Sequence, residues 1–374
     1  METCICVGGG ILGTMHAYFA LREGYKVMHI EKSSEPNAAS TRNFGLIWVS
    51  GRAPGSELEI ALRSRQLWGE IGLENPHTGF RAHGSLTVAR NEAELEVIRR
   101  ANNLPDSEKR EFQMLSQSEL RKLEPTLSQS LLGALHCRRD AIVEPQHVLP
   151  ALRKTMELNP AYSWLPNTKI KDLSIDGDVC TLTAEDGREF QSEHVVLAPG
   201  AEHDDVFKDL FAGEAIRRVR LQMAAIDGCG LQLSHSIADG DSLRYYPAFR
   251  DCGLELLPQQ DSIAAKYHMQ LLLTQRLDGS ITIGDTHEYQ EPFDHKIEEE
   301  PYEHLTEVIK SIFNVEPSIL RKWDGIYSQT IGNQIYFRKK LASCVHLISG
   351  LGGRGNTIAP AVAEETFKQW KIAS

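Results

Sequence analysis

The sequence lacks the features of several large classes of protein. Its 7 cysteines are an odd number without regular spacing, which is typical of reduced thiols and not of a disulfide framework. No group of cysteines and histidines has the spacing of a zinc site. Lysine and arginine number 40 against 51 acidic residues, and the resulting net charge of −11 argues against general nucleic-acid binding, which needs a cationic surplus.

Long apolar runs are also absent. A membrane-spanning helix needs about 18 or more consecutive apolar residues, and no stretch of the sequence reaches that length. Residues 4–15 are apolar, but glycines interrupt them and no basic segment precedes them, so we predict neither a secretory signal nor a membrane span. With 374 residues the chain can bury a large core and form two domains. We expect a soluble, cytoplasmic protein, and an oligomer is compatible with the sequence.

Motifs of hydrolytic or metal-dependent catalysis are missing as well. No catalytic triad, metal cluster or P-loop stands out, and no pair of residues is recognisable as a general acid and base. Scattered histidines such as His83, His136 and His287 are predicted as ordinary core or surface residues. We therefore predict no metal site and look for chemistry that a bound cofactor supplies.

Glycine is concentrated after the first predicted strand. The β-branched run Thr3–Val7 predicts a buried parallel strand, and the stretch Gly8–Gly13 follows it in the pattern G-x-G-x-x-G before an apolar helix. In this pattern Gly8 makes a tight turn, Gly10 lets the backbone approach a pyrophosphate, and Gly13 packs the helix against the strand. The pattern therefore predicts a dinucleotide whose diphosphate lies at a helix N-terminus.

An acidic residue ends the second predicted strand. Glu31 follows the strand Lys26–Ile30 and lies 21 residues after Gly10, where a carboxylate accepts hydrogen bonds from a ribose hydroxyl. The acid favours NAD or FAD over NADP. The first 31 residues leave the choice between NAD and FAD open.

Two later segments also join a strand to small residues. The run Cys344–Ser349 predicts a buried strand, which leads through the glycine turn 350–357 into a helix from about 359 to 370. The run 194–201 is another apolar strand that ends in small residues. Both segments can bring backbone donors close to an anion or a flat ring.

The order of these segments resembles the D-amino acid oxidase family of FAD-dependent oxidoreductases, which includes glycine oxidase and monomeric sarcosine oxidase. The resemblance covers nearly the whole chain and favours FAD over NAD. It is carried by ASTRNFGLIW (39–48), VVLAPGA (195–201), DGSITIGDTHEY (278–289), WDGIYSQT (323–330) and HLISGLGGRGNTIAPAVAEE (346–365). It implies an α/β fold, in which a Rossmann-like FAD-binding domain is joined to an α+β substrate domain with a large, mostly antiparallel sheet.

The resemblance also implies how the chain divides. Residues 1–50, 131–203 and 326–374 would form the FAD-binding domain, and residues 51–130 and 204–325 the substrate-binding domain. Helical periodicity at 57–71, 92–102 and 302–313 and strand patterns at 219–226 and 270–276 fit this division. Aspartate–glycine pairs predict hairpin turns at 176–177, 186–187, 227–228, 239–240 and 278–279.

The residues that the resemblance assigns to FAD are spread over six segments. They are Gly8, Gly10, Ile11, Leu12, Gly13, Glu31, Lys32, Ser40, Thr41, Arg42, Asn43, Phe44, Gly45, Ala198, Pro199, Gly200, Gly325, Gly350, Gly352, Gly353, Arg354, Gly355, Asn356 and Thr357. The C-terminal glycine turn would lie at the pyrimidine edge of the flavin, where the helix dipole and Arg354 stabilise negative charge on the reduced ring. Sarcosine oxidases attach flavin through a cysteine near residues 326–337, and this chain has none there, so we expect non-covalent FAD.

The chain departs from the family pattern at one position. Amino-acid-oxidising members carry an arginine for the substrate carboxylate in the segment that resembles WDGIYSQT, whereas this chain has Tyr327. A tyrosine cannot form a bidentate ion pair, which argues against plain α-amino acid oxidation. Other cations would have to meet a substrate anion, and the predicted set is Arg42, Arg244, Lys266, Arg338 and Lys339. The predicted catalytic residues are Arg42, Tyr246, Lys266 and Tyr327.

The combination of STRNFGLIW with WDGIY most resembles a family branch that is associated with phosphonate catabolism and is proposed to oxidise aminoalkylphosphonates. The implied reaction is oxidation of a small primary or secondary amine by hydride transfer to flavin N5. The imine is then hydrolysed to an aldehyde or keto acid, and oxygen or another acceptor reoxidises the flavin. Two alternatives are open: FAD-dependent oxidation of a hydroxy compound, which needs a base, and a flavin-binding protein without turnover.

Overall fold

The computed structural model describes residues 1–373, without the side chains of residues 205, 372 and 373. The strands in this part of the chain are β1 (Thr3–Val7), β2 (Lys26–Ile30), β3 (Leu46–Ile47), β4 (Ser85–Ala89), β5 (Phe112–Ser116), β6 (Gly133–Cys137), β7 (Ala141–Ile142), β8 (Tyr162–Leu165), β9 (Ile170–Asp176), β10 (Val179–Ala184), β11 (Glu189–Ser192), β12 (His194–Leu197), β13 (Ile216–Ile226), β14 (Ser236–Ala238), β15 (Leu272–Gln275), β16 (Ile281–Gly284), β17 (Ile319–Thr330), β18 (Phe337–Ala342) and β19 (Cys344–Ser349). The helices are α1 (Ile11–Arg22), α2 (Ser56–Glu74), α3 (Glu92–Asn102), α4 (Ser107–Arg110), α5 (Gln117–Leu123), α6 (Pro145–Met156), α7 (Lys208–Phe211), α8 (Asp241–Tyr245), α9 (Ser262–Lys266), α10 (Glu300–Phe313) and α11 (Gly355–Ala373).

A six-stranded sheet brings the predicted glycine segments to one edge. Its strand order is β18-β19-β12-β1-β2-β8, and every neighbouring pair is parallel except β18 with β19. Helices α1 and α11 pack against each other on one face. Because β1, β12 and β19 run in the same direction, the turns that follow them meet beyond their carboxyl ends, which is where open α/β sheets bind ligands.

An eight-stranded sheet forms the second layer of the molecule. Its order is β17-β13-β16-β15-β14-β4-β6-β5, and only β14 with β4 is parallel. Helix α10 covers one face with Leu305, Ile309 and Ile312, which belong to the same buried apolar cluster as Ile281 and Ile283 of β16. The α/β fold with a large, mostly antiparallel sheet is therefore confirmed.

Local predictions hold where the signal lies within the segment. The aspartate–glycine pairs at 176–177, 186–187 and 278–279 close hairpins between β9 and β10, β10 and β11, and β15 and β16. The pairs at 227–228 and 239–240 were wrongly predicted as hairpins, since β13 leaves its sheet neighbours after Ile226 and Asp239-Gly240 leads into α8. Helix α11 begins at Gly355, earlier than predicted, because the residues Gly352–Arg354 form a 3-10 turn that leads directly into it.

The domain bounds stay a prediction, and two elements cross them. Strand β6 lies in the eight-stranded sheet, although its residues fall in the 131–203 segment. Helix α2 packs against α11 and buries Leu67, Trp68 and Ile71 in the core of the six-stranded layer, although its residues fall in the 51–130 segment. Between residues 1 and 373, no helix is long and apolar enough to cross a membrane.

Candidate active site

One large cavity connects the two sheets. Its volume is about 1170 Å³, which exceeds the ~300–1,000 Å³ of pockets for drug-sized ligands. One end, here called the glycine end, is lined by Gly8, Gly10 and Glu31. The other end, here called the tyrosine end, is lined by Tyr245, Tyr246, Tyr289 and Tyr327. The cavity is therefore large enough to hold a dinucleotide and a small molecule together.

The glycine end has the backbone that the G-x-G-x-x-G pattern predicts. Gly8 has a φ of +110°, and a Cβ atom there would lie 2.3 Å from the carbonyl oxygen of Ala198. A Cβ atom on Gly13 would lie 1.9 Å from the carbonyl oxygen of Gly8, so Gly13 permits close packing of α1 on β1. The backbone N–H of Ile11 donates to Ser40 Oγ at 2.9 Å. Side chains are thus excluded for steric reasons, and the N-terminus of α1 faces the cavity.

Glu31 fixes the backbone of the glycine end through hydrogen bonds. Its two carboxylate oxygens accept hydrogen bonds from the backbone N–H groups of Gly9 at 2.6 Å and Ser33 at 2.9 Å. Each carboxylate oxygen has a second lone pair, so the predicted bond to a ribose hydroxyl remains possible. Lys32 pairs with Glu202 at 2.6 Å on the rim of the cavity.

The other two glycine segments close the middle of the cavity. Ser349 Oγ donates to the carbonyl oxygen of Gly200 at 2.7 Å and so ties β19 to the turn after β12. Asn356, in the first turn of α11, donates through Nδ2 to Asn43 Oδ1 at 3.1 Å. Its Oδ1 is buried and has no hydrogen-bond partner among the described residues. This cradle of glycines, two helix N-termini and an unpaired acceptor fits FAD in kind and in size.

The tyrosine end is aromatic and largely buried. Tyr246 packs edge-on against Tyr245 with ring centroids 5.1 Å apart and lies 6.0 Å from the indole ring of Trp48. A Cβ atom on Gly51 would lie 2.4 Å from the Tyr246 ring, so glycine is required there to seat it. Burial raises the pKa of the Tyr245, Tyr246 and Tyr327 hydroxyls, which are therefore neutral at physiological pH.

Unpaired polar atoms converge on this cavity. Buried polar groups in proteins are nearly always hydrogen-bonded, so such atoms point to a ligand. Six buried side-chain atoms on lining residues have no partner in the described part of the chain, namely Trp48 Nε1, Arg52 Nε, Gln270 Oε1, Asp285 Oδ1, Tyr327 Oη and Asn356 Oδ1. Donors and acceptors are both present, as a molecule with groups of opposite charge requires.

Two arginines share one carboxylate beside the tyrosines. Arg52 Nη1 lies 3.4 Å and Arg354 Nη1 lies 3.3 Å from the same oxygen of Glu57, and the three side chains are 6%, 17% and 8% exposed. The Arg52 guanidinium also stacks over the Tyr246 ring at 5.3 Å. Burial lowers the pKa of Arg354, and the neighbouring Arg52 contributes to that shift. The three groups carry a surplus of one positive charge in a buried place, which favours an anionic ligand.

An acid and a histidine lie at the same end, which the sequence did not predict. Asp285 follows β16 and is 7% exposed, and its Oδ2 lies 3.8 Å from His287 Nε2. His287 Nδ1–H donates to the carbonyl oxygen of His268 at 2.9 Å, and its ring stacks on Tyr245 at 4.5 Å. Burial raises the pKa of the Asp285 carboxyl, and His287 partly offsets that shift.

Most of the predicted site residues line the cavity. They are Gly8, Gly10, Ile11, Leu12, Glu31, Lys32, Ser40, Arg42, Asn43, Phe44, Ala198, Pro199, Gly200, Arg244, Tyr246, Gly325, Tyr327, Gly350, Gly352, Gly353, Arg354, Gly355 and Asn356. Gly13, Thr41, Gly45 and Thr357 lie behind this lining. A Cβ atom on Gly45 would lie 2.0 Å from the Val143 carbonyl oxygen, so glycine permits close packing there. Thr357 Oγ1 accepts a hydrogen bond from the backbone N–H of Trp48 at 2.9 Å and so supports the cavity wall.

Three of the predicted cations do not line the cavity. Lys266 is exposed and pairs with Glu300 at 2.5 Å, because α9 turns its last residue toward α10 and away from the cavity. Arg338 bonds to Gln369 and Thr366 of α11, and Lys339 bonds to Glu214, on the outer edge strand β18. Arg244 lines the cavity, but Asp241 already holds its guanidinium at 2.9 Å.

The predicted catalytic set missed the charged groups at the tyrosine end. Arg52 and Glu57 lie just after the predicted domain bound at residues 50 and 51, and the sequence analysis gave neither residue a role. Asp285 and His287 lie within DGSITIGDTHEY, a segment that carried the resemblance but no assigned role. Two features of the sequence could have indicated these residues. Arg52 lies between Gly51 and Pro54, and Asp285 directly follows an apolar strand.

The comparison with protein families gives one match across the chain. The model of the DAO family, described as FAD dependent oxidoreductase, matches residues 4–369. A glycine oxidase of Bacillus licheniformis is 25% identical, over 62% of this chain and 63% of that protein. An opine oxidase polypeptide of Rhizobium meliloti is 26% identical, over 53% of this chain and 56% of that protein. The matched region thus spans less than two thirds of these relatives.

Solved structures agree in fold. Glycine oxidase from Bacillus cereus superposes with a TM-score of 0.81 at 19% identity, covering 100% of this chain and 95% of that one. L-alpha-glycerophosphate oxidase from Mycoplasma pneumoniae, a structure with FAD bound, superposes with a TM-score of 0.78 at 19% identity, covering 99% of this chain and 95% of that one. With the family model matching residues 4–369 and a cradle that fits FAD, the chain belongs to the DAO family of FAD-dependent oxidoreductases.

Proposed function

We propose that this protein oxidises a small primary or secondary amine that also carries an anionic group, with aminoalkylphosphonates as the substrate class. When bound, FAD supplies the two-electron oxidant, which takes hydride from the carbon next to nitrogen. The chain's own residues bind the two ends of the substrate, orient that carbon and exclude water. The resulting imine is hydrolysed to a carbonyl compound and an amine or ammonia.

The observation that carries the proposal is the surplus positive charge of Arg52 and Arg354 on the single carboxylate of Glu57. A phosphonate is tetrahedral and doubly charged, so it suits several dispersed donors better than one planar arginine fork. The unpaired donors Arg52 Nε, Trp48 Nε1 and Tyr327 Oη supply such a set. Tyr327, which stands where amino-acid oxidases are expected to carry arginine, then contributes a neutral hydroxyl.

The names of the relatives support amine chemistry. Glycine oxidase, opine oxidase and sarcosine dehydrogenase all have names that refer to amino compounds, and each is 25–28% identical to this chain over the matched part. The cofactor would be held by the lining residues that follow β1, β12 and β19. We further propose that FAD is bound without a covalent link, since none of the cysteines in residues 1–373 lines the cavity.

A second function has an observation in its favour. Oxidation of a hydroxy compound needs a base for the hydroxyl proton, and Asp285 with His287 is a base that the sequence did not predict. The L-alpha-glycerophosphate oxidase structure shows that the fold accommodates an enzyme named for a hydroxy substrate that carries a phosphate. The two functions therefore share an anion site and differ in the group that is oxidised.

The test is anaerobic flavin reduction in the purified holoprotein. Aminoethylphosphonate and its N-methyl form are compared with glycine, sarcosine, D-amino acids, hydroxyethylphosphonate and L-glycerol 3-phosphate, each mixed with the yellow protein in the absence of oxygen. The proposal expects loss of the flavin colour with the aminophosphonates and little with the others. Reduction by the carboxylates alone would overturn the phosphonate assignment, and reduction by the hydroxy compounds alone would establish the second function.

A further inference from the structure

Asp285 is a buried carboxyl group without a fixed cation. Its side chain lines the cavity and is 7% exposed, and Oδ1 has no hydrogen-bond partner in the described chain. The nearest titratable group is His287, whose Nε2 lies 3.8 Å from Oδ2, beyond hydrogen-bond distance. Burying a carboxylate without a partner is costly, so the site is complete only when a ligand brings a donor or a cation.

One histidine, one glutamine and four tyrosines near Asp285 interact with it electrostatically or by hydrogen bonds. They are His287, Gln270, Tyr245, Tyr246, Tyr289 and Tyr327. The tyrosines are neutral because burial raises the pKa of each hydroxyl. His287 Nδ1–H donates a hydrogen bond to the His268 carbonyl oxygen at 2.9 Å, and its Nε2 lies 3.8 Å from Asp285 Oδ2. Gln270 hydrogen-bonds to the Asp285 carboxyl and lowers its pKa, but neither Gln270 nor the tyrosines carry a positive charge, so a ligand is the source of a full counter-charge.

Amine oxidation poses a proton problem that this arrangement can solve. An alkylamine has a pKa of about 10.4, so only about one molecule in a thousand is neutral at pH 7. A protonated amine has no lone pair to support loss of hydride from the neighbouring carbon. An acceptor beside the nitrogen is therefore required if the enzyme is to work on the abundant ammonium form.

We infer that Asp285 binds the substrate ammonium group and accepts its proton. The inference rests on the proposed amine oxidation and adds the residue that prepares the amine. The N–H bond breaks, the proton moves to Asp285 Oδ1, and the electron pair stays on nitrogen. The neutral amine then loses hydride from its α carbon to FAD, which leaves an iminium cation that water hydrolyses. His287 is a neighbouring residue whose Nε2 lies 3.8 Å from Asp285 Oδ2, too far for a direct hydrogen bond.

Arg52 and Asp285 define the orientation of such a substrate. Arg52 stacks over the Tyr246 ring at 5.3 Å, and both Arg52 and Asp285 line the cavity. The anionic end is attracted to Arg52 and repelled by Asp285, and the ammonium end responds in the opposite way. A molecule with both charges therefore lies in one direction across the tyrosine end of the cavity.

The decisive experiment is the pH profile of flavin reduction in Asp285→Asn. Asparagine has the shape of aspartate and removes an unpaired buried charge, so the holoprotein is expected to fold, which its flavin spectrum and circular dichroism verify. The rate constant for reduction divided by the dissociation constant is measured by anaerobic stopped flow from pH 6 to 10. We expect a loss of about 10²–10³-fold at pH 7 that shrinks below about tenfold at pH 10, where about a quarter of the amine is already neutral.

The control is Asp278→Asn, in the turn at the other end of the same β15–β16 hairpin. Asp278 is exposed, and its carboxylate bonds only to Ser280 at 2.6 Å and 2.9 Å. Its profile should match that of the wild-type protein. A loss in Asp285→Asn that is the same at every pH would assign Asp285 a structural role and overturn the inference.

A binding measurement provides a readout that needs no turnover. The ligand 2-amino-2-methylpropylphosphonate has no hydrogen on the carbon next to nitrogen, and 2,2-dimethylpropylphosphonate has the same shape with methyl in place of the amino group. Both are titrated into the holoprotein at pH 7, with the flavin spectrum as signal. We expect the wild type to bind the amine at least about tenfold more tightly and Asp285→Asn to lose this preference. Equal binding by the wild type would contradict the inference.

The two proposals fail in different ways. If aminophosphonates do not reduce the wild-type flavin but another amine does, the substrate class is wrong and the pH profile is measured with that amine. If the aminophosphonate reduces the flavin and Asp285→Asn keeps the wild-type profile, the substrate class stands and the role of Asp285 is wrong. If only hydroxy compounds reduce the flavin, both proposals are overturned.

Discussion

Replacing Arg52 by glutamine tests the anion site directly. The Arg52–Glu57–Arg354 group carries a surplus of one positive charge, and Arg52→Gln removes it while keeping a side chain of similar reach. Glu57 retains Arg354 and the backbone N–H of Ala53 at 3.2 Å, so no buried carboxylate is left unpaired and the fold should persist. The Tyr246 ring loses the stacked guanidinium, and the ligand loses a charged partner.

The magnitude follows from the loss of one charged hydrogen bond. Such a bond contributes about 1.5–3 kcal/mol, which corresponds to a rise of roughly 10–150-fold in the dissociation constant for aminoethylphosphonate. An amine of similar size without an anion, such as butylamine, should change by no more than about twofold. Anaerobic stopped-flow reduction gives the dissociation constant and the limiting rate for each amine.

The matched control is Arg63→Gln in the same helix as Glu57. Arg63 pairs with Glu364 at 2.5 Å on α11 and does not line the cavity as the structure describes it. Its replacement should leave both dissociation constants unchanged. An equal loss for charged and uncharged amines in Arg52→Gln would show that Arg52 shapes the pocket and does not bind an anion, which would refute the reasoning.

Three further predictions concern the cofactor and stability. Gly8→Ala should yield protein without FAD, because the added Cβ would lie 2.3 Å from the Ala198 carbonyl oxygen. The control Gly69→Ala, where the nearest atom is 3.7 Å away, should keep FAD and gain up to about 1 kcal/mol of helix stability. The FAD content of each purified variant is measured, and a yellow Gly8→Ala protein would contradict the proposed FAD cradle. Arg354→Gln should lower the flavin reduction potential by about 30–60 mV if the cation stabilises the reduced ring, and an unchanged potential by equilibration with a redox dye would exclude that role. Burial lowers the pKa of His16 from its usual 6.5 to about 3, so the unfolded chain takes up this proton first and stability is lost as pH falls from about 6.5 toward 3. His16→Gln should reduce the slope of unfolding free energy against pH in this window by about 1.4 kcal/mol per pH unit, measured by urea unfolding, and an unchanged slope would show that His16 is not responsible.

The cofactor half of the site was predictable because its signals are local. Gly8 is required by its contact with Ala198, which follows the parallel neighbour strand β12, and Gly13 by its contact with the Gly8 carbonyl oxygen five residues earlier in the chain. A Cβ atom on Gly10 would lie 3.1 Å from Ser40 Oγ. The strand bounds Thr3–Val7, Lys26–Ile30 and Cys344–Ser349 agree with the structure for the same reason. Parallel order then places their carboxyl ends together.

The substrate half was not predictable because it depends on tertiary contacts. Arg52 is buried only because α2 and the turn before α11 bring Glu57 and Arg354 to the same place, 297 residues apart in the sequence. Lys266 and Tyr246 lie near tyrosines in the sequence, yet α9 directs one to the surface and Gly51 seats the other in the cavity. Sequence neighbours therefore indicated a cationic pocket but not which cations form it.

The measurement that tests the account most directly is a crystal structure of the FAD-loaded protein with 2-amino-2-methylpropylphosphonate. The account predicts phosphonate oxygens within hydrogen-bond distance of Arg52 Nε and the ligand nitrogen within hydrogen-bond distance of Asp285 Oδ1. A ligand bound in the opposite direction, or with its phosphonate away from Arg52, would contradict it.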